Sequence, residues 1–194
     1  MKQINLLCYS HEEFNDIMRE HEWYDKPGDG VATISICSPN DDDPYHWFRQ
    51  SDENLNLEFD DMDPDIYWGD KYNYDLIFDQ YESGNVDDEA FYFSNVSNAP
   101  TLELHAMNTD DARKLVLFIG KQLRLGIETI YVHCSAGISR SQGVVRYILD
   151  TYGDEYEFIT NPNNPCLTPN YHVVRMLKRM NRTLFRYPIN SKEK

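Results

Sequence analysis

Thr129-Ile130-Tyr131-Val132-His133-Cys134-Ser135-Ala136-Gly137-Ile138-Ser139-Arg140-Ser141-Gln142-Gly143-Val144-Val145-Arg146-Tyr147-Ile148-Leu149 contains three elements in succession. The apolar run 129–132 reads as a buried strand, and 143–149 reads as a helix. Between them lies a loop of small residues. A strand, a loop of small residues and a helix N-terminus together make an anion site, because successive backbone amides turn inward toward one point. Gly137 frees the loop where a side chain would crowd it. Arg140, in the first helical turn, carries a guanidinium that grips two phosphate oxygens at once.

Cys134 stands at the centre of that positive field. A free thiol titrates at about 8.5, and helix N-termini with nearby cations bring it to about 3.5–7.5. A fall of about three units is worth roughly 4 kcal/mol of thiolate stabilisation. The expected thiolate is a nucleophile toward phosphorus at neutral pH. Ser141 places a hydroxyl near Cys134 to stabilise the thiolate as it departs, and His133 is read as a loop-positioning residue. The expected phosphate-binding set is Ser135, Ala136, Gly137, Ile138, Ser139 and Arg140. An inert buried cysteine at a strand end is the bland alternative.

His133-Cys134, five residues and Arg140 resemble the signature of the cysteine-based protein tyrosine phosphatases. The ending Ser139-Arg140-Ser141 is more similar to the dual-specificity branch, and the surrounding pattern to compact bacterial and phage members. Thr109-Asp110-Asp111-Ala112 opening a helix, Phe118-Ile119 and Pro169-Asn170 opening a late helix fit the same arrangement. The resemblance is strongest over about 109–182, weaker over 31–63 and absent between 64 and 104. It implies a metal-independent phosphomonoester hydrolase that needs no cofactor and works through a phosphocysteine on a phosphorylated protein or peptide.

The family also uses an aspartic acid on a loop after a strand. Asn54-Leu55-Asn56-Leu57-Glu58-Phe59 alternates as a strand does, and Asp60-Asp61-Met62-Asp63-Pro64 follows. Matching that strand to the family's puts Asp61 in the general-acid role, with Asp60 one register step away. Asp61 lies 73 residues before Cys134, farther than is usual in the family, so an insertion must take up the excess. Asp110 and Asp111 are nearer, but they read as first-turn acids that favour a helix dipole.

A chain of 194 residues suffices for one domain. No apolar run is long enough to span a bilayer, and the N-terminal run is too short for a signal peptide, so a cytoplasmic protein is expected. Four cysteines in a chain this long do not suggest a disulfide framework. Cys8 and Cys37 read as buried thiols. Cys166, in an Asn/Pro-rich loop, reads as a plain loop cysteine, with a redox partnership to Cys134 as the sharper alternative.

Residues 1–100 carry 24 of the 33 acidic side chains and 5 of the 18 basic ones, and residues 101–194 carry 9 and 13, giving −19 and +4. Arg146, Arg175, Lys178, Arg179, Arg182 and Arg186 could keep the site's surroundings positive, or form a solvated face. The acidic half argues against nucleic acid and anionic membranes as partners.

Strands alternating with helices imply a single α/β domain, a largely parallel sheet flanked by helices, with the ligand at the carboxyl end of a strand. Expected elements are a strand at 4–9, a helix opened by the Ser10/Glu13 capping box, and strands at 31–37 and 54–59. A helix capped by Thr109 and ended by Gly126 follows, then the signature strand, a helix over about 140–152, and a last helix capped by Thr168 with Pro169 at its first position. The tract 64–104 is aromatic and acidic, too aromatic for ordinary disorder. It reads as an inserted lid or specificity element, or as a packed excursion, with several strands or a short hairpin near 90–105.

Three functions from two classes fit: a protein phosphatase; a phosphatase of an RNA 5′-phosphate, a phosphoinositide or a small ester; and, from another class, a non-catalytic phosphopeptide-binding module. The loop interior lacks the lysine that would favour polyanionic lipid heads.

Overall fold

The computed structural model describes residues 1–39, 48–64, 73–83, 91–93, 102–161 and 168–185. Five strands form one sheet: β1 (Lys2–Ser10), β2 (Val31–Cys37), β3 (Asn54–Glu58), β6 (Thr129–Cys134) and β7 (Tyr156–Thr160), in the order β3-β2-β6-β1-β7. Every pairing in it is parallel. The helices are α1 (His11–Glu20), α2 (Tyr74–Glu82), α3 (Thr109–Leu125), α4 (Arg140–Tyr152) and α5 (Tyr171–Phe185). None of the described helices is long and apolar enough to cross a membrane.

Strand parity assigns the two faces of the sheet. Ile4, Leu6 and Cys8 of β1 and Ile130, Val132 and Cys134 of β6 point into the main core with Leu115, Ile119, Val144, Ile148 and Met176 from α3, α4 and α5. The alternate residue Tyr131 faces Phe14 and Met18 of α1, with Leu7 and Tyr9 packed alongside. Residues buried on both faces make β2 and β6 mostly apolar runs, as central parallel strands require, with Thr33, Ser35 and His133 buried among them.

The capping box at Ser10 forms as the sequence implies: Ser10 Oγ accepts from Glu13 N–H at 3.2 Å, and Glu13 Oε2 accepts from Ser10 N–H at 2.8 Å. Gly126 ends α3 in the left-handed conformation, φ 81°. Two caps sit elsewhere than expected. The N-cap of α3 is Asn108, whose side chain accepts from Asp111 N–H at 2.9 Å while Asp111 reaches back to Asn108 N–H. In α5, Asn170 Oδ1 accepts from Val173 N–H at 3.1 Å, and Thr168 turns instead to the signature loop, donating to Ile138 O. An Asx side chain nearer the first turn wins each cap.

The excursion after β3 is tied at its base. Asp60 N–H donates to His105 O at 2.6 Å, and His105 N–H donates to Asp60 Oδ2 at 2.7 Å. Within the excursion, β4 (Phe91–Phe93) and β5 (Leu102–Leu104) pair antiparallel, the expected hairpin. Helix α2 is an element the sequence did not announce. It docks on α5: Phe78 is fully buried, Asp75 pairs with Arg179 at 3.0 Å, and the Arg175 guanidinium lies 5.7 Å from the Tyr74 ring centroid. The described helix of the tract is therefore a packed element of the domain.

His172 joins these parts. Its Nε2 lies 2.9 Å from Met107 O and its Nδ1 3.0 Å from Tyr74 Oη. A neutral ring satisfies both by donating to the carbonyl and accepting from the phenol. Burial pushes the His172 pKa down to about 4. A proton then prefers the unfolded chain, so stability is full above about pH 6.5 and falls as pH drops toward 4. Lowering pH from 7.5 to 5 should cost about 2 kcal/mol through this residue alone. Thermal melts at the two pH values should show that loss shrinking in His172→Gln.

Candidate functional site

β6 ends at Cys134, and the chain reaches α4 through Ser135–Ser139. Parity turns Cys134 toward α4 and His133 toward α1, where its ring stacks on Phe14 at 4.2 Å. The loop then closes against the end of β1. Gly137 has φ 69°, and a Cβ there would stand 2.5 Å from Ser10 N and 2.6 Å from Tyr9 C. Both the conformation and the contact require glycine.

Four of the loop's five carbonyls are satisfied away from its centre. Ser135 O accepts from His11 N–H, Gly137 O from Gln142 Nε2, Ile138 O from Thr168 Oγ1, and Ser139 O from both Gly143 and Asn170 N–H. Among the described residues, no backbone hydrogen bond uses the amides of Ser135, Ala136, Ile138 or Ser139. Peptide planes whose carbonyls are held outward present their N–H groups to the opposite side, the geometry of an anion nest.

Arg140 closes one wall. Its Nη1 donates to Phe59 O at 2.8 Å and to Ser38 Oγ at 3.1 Å, and its Nη2 donates to Ser135 Oγ at 3.0 Å. The residue is 4 % exposed. It pairs with no carboxylate among the described residues, and its Nε has no hydrogen-bond partner there. A buried guanidinium with no counter-ion calls for an anion.

Ser141, fully buried, lies with its Oγ 3.2 Å from Cys134 Sγ. The expected pairing of hydroxyl and thiol is present, and Cys134 itself is 2 % exposed.

The two candidate acids have different partners. Asp60 is buried and spends its carboxylate on His105 N–H at the base of the excursion. Asp61 is exposed beside the loop, and its Oδ1 accepts from Ser139 Oγ at 2.6 Å and from Asn170 Nδ2 at 2.9 Å. Asp110 and Asp111 open α3 as first-turn acids; Asp111 completes the cap, and Asp110 pairs with Lys114 at 2.6 Å.

The sequence assigned no site role to Asn170, expected there only as opening the late helix, nor to Ser38 or the Phe59 carbonyl. Asn170 caps α5 and also donates to Asp61 and to Met62 O, so one amide holds the acidic turn against the helix. The expected positive field from the late helix is largely spent locally. Burial would raise Asp150, but hydrogen bonds from Lys178 and Arg146 outweigh it and hold that carboxyl below its ordinary range. Cys166 and Arg186 lie outside the described residues.

No protein-family model matches the chain, and no curated protein matches it. The likeness to cysteine phosphatases therefore rests on the residues around Cys134.

Gly137→Ala should lower the melting temperature by at least about 4 °C, since roughly 1–2 kcal/mol of left-handed strain adds to the backbone clash. A differential scanning measurement on the full chain checks this.

Proposed function

We propose that the protein is a cysteine-dependent phosphomonoester hydrolase of the protein tyrosine or dual-specificity phosphatase kind, acting on phosphorylated protein or peptide. The observation that carries this reading is Arg140: a buried cation without a counter-ion among the described residues, in the first turn of the helix that follows the loop after a buried thiol hydrogen-bonded with Ser141. The loop amides and the guanidinium supply donors for the non-bridging oxygens of a phosphate dianion.

The chemistry runs in two steps. The Cys134 thiolate attacks phosphorus, the bond to the leaving oxygen breaks, and Asp61 gives that oxygen a proton. With Oδ1 already accepting two hydrogen bonds, the transferable proton belongs on Oδ2. Water then attacks the phosphocysteine and yields its proton to the Asp61 carboxylate. The S–P electron pair returns to Cys134, received by the Ser141 hydroxyl. Uncatalysed phosphate monoester hydrolysis is so slow that accelerations approach about 10^21-fold, so clamp, nucleophile and acid all contribute. Three buried, unbridged thiols, Cys8, Cys37 and Cys134, support a reducing, cytoplasmic setting.

Cys134→Ser should abolish turnover of a phosphotyrosine peptide and retain its binding. Turnover persisting in that variant defeats the mechanism, and a wild-type chain that binds the peptide without turnover is a binding module instead. Asp61→Ala should lower kcat by about 10^2-fold or more with little change in KM. Asp60→Ala should chiefly lower the melting temperature through loss of the His105 tie. The reverse pattern would move the acid to Asp60.

A further inference from the structure

Cys8 lies in β1, two positions before the residue opposite Cys134 in the β1–β6 register. It is 2 % exposed and shares the main-core face with Cys134. Its Sγ is 3.2 Å from Ser141 Oγ, the same hydroxyl that lies 3.2 Å from Cys134 Sγ. One buried serine therefore bridges two thiols. Asn161, following β7, holds the Cys8 backbone from both sides, accepting from its N–H at 3.0 Å and donating to its carbonyl at 2.8 Å.

Counting protons gives these contacts a direction. Ser141 has one hydroxyl proton and two lone pairs. Once Cys134 is a thiolate it has no proton and is the strongest acceptor in reach, so Ser141 donates to it. The hydroxyl oxygen is then left to accept, and the donor at hand is the Cys8 thiol. A competing acceptor for that thiol among the described residues is Gly137 O, which is farther at 3.5 Å and already accepts from Gln142. The chain S–H···O–H···S⁻ runs one way, and each bond polarises the next.

Resting on the phosphatase reading, the geometry points to Cys8 as a positioning residue that fixes the Ser141 hydroxyl toward Cys134. Its contribution falls on the second step, where the S–P bond breaks, the electron pair returns to sulfur, and the hydroxyl must already be aimed there. Formation of the phosphocysteine, governed by the loop amides, Arg140 and Asp61, depends on it much less.

The test is pre-steady-state turnover of para-nitrophenyl phosphate by the full chain. Cys8→Ala should lower kcat about fivefold, the equivalent of roughly 1 kcal/mol for one net hydrogen bond. It should leave kcat/KM within about twofold and produce a burst of nitrophenol. Cys8→Ser, which restores a donor, should recover most of kcat. Adding Cys8→Ala to Ser141→Ala should cost nothing more, because the effect passes through the serine. A wild-type kcat without a burst in Cys8→Ala, or additive losses in the double variant, overturns the role. So does an equal fall of kcat and kcat/KM in both Cys8 variants with lowered melting temperatures, which is the mark of packing alone. A wild-type chain without turnover, or a Cys134→Ser chain that retains it, defeats the phosphatase reading itself and this role with it.

Discussion

The loop over Cys134 is shaped by its approach to the end of β1, where backbone meets backbone at Gly137. Tyr9 and Ser10 leave no space for a side chain, and the register that pairs Ser10 with Cys134 puts them there. Much else follows from that contact. α1 starts at His11, so its first amide meets the Ser135 carbonyl, and Gln142 reaches back to Gly137 O. Four of the loop's carbonyls are engaged outward in this way. A slip of β1 by a single residue would turn Cys8 away from the core and bring an outward-facing residue against the loop.

Arg140 is the second organising element. Its guanidinium joins the ends of β2 and β3 to the loop after β6 through Ser38, Phe59 and Ser135. Three donors satisfied by neutral oxygens fix the plane of the group without neutralising its charge. The cation is thereby held in place and kept available, a combination that a carboxylate partner would destroy. The surface cations treat their charge differently: Arg146 and Lys178 converge on Asp150, and Arg179 pairs with Asp75. Exposed pairs of this kind contribute at most about 1 kcal/mol.

The parts of the fold that were legible in the sequence are those whose burial leaves a pattern. β2 and β6 are apolar runs because both faces are covered, and β3 alternates because Asn56 and Glu58 are less buried than Leu55 and Leu57. β7 escaped notice because, at the sheet's edge, none of Tyr156–Thr160 is fully buried. In α2 a single residue, Phe78, is buried, so aromatic and acidic composition masks its period. Of the site, Cys134, Arg140 and Ser141 could be read from local spacing, and the Asp60–Asp61 turn only by matching the strand before it to that of the family the chain resembles. Asn170, Cys8 and Ser38 could not: each acts on a residue about 100 or more positions away, through contacts that exist once the sheet order is set.

The double hydrogen bond between Asp60 and His105 has a further consequence for how such a chain can diversify. It brings together the two ends of the stretch 61–104, so the domain core meets that stretch as a closed loop with neighbouring feet. Doubling the length of a flexible closed loop costs only about 0.6 kcal/mol. Outside α2, whose Phe78 is fixed in the main core, residues can accordingly be gained or lost beyond the clamp with little entropic penalty to the sheet. Asp61 is the first residue past it, anchored by Ser139 and Asn170, and keeps its position whatever the excursion's length. The clamp, with the Asp61 anchors just past it, separates the sheet from the stretch whose length can change.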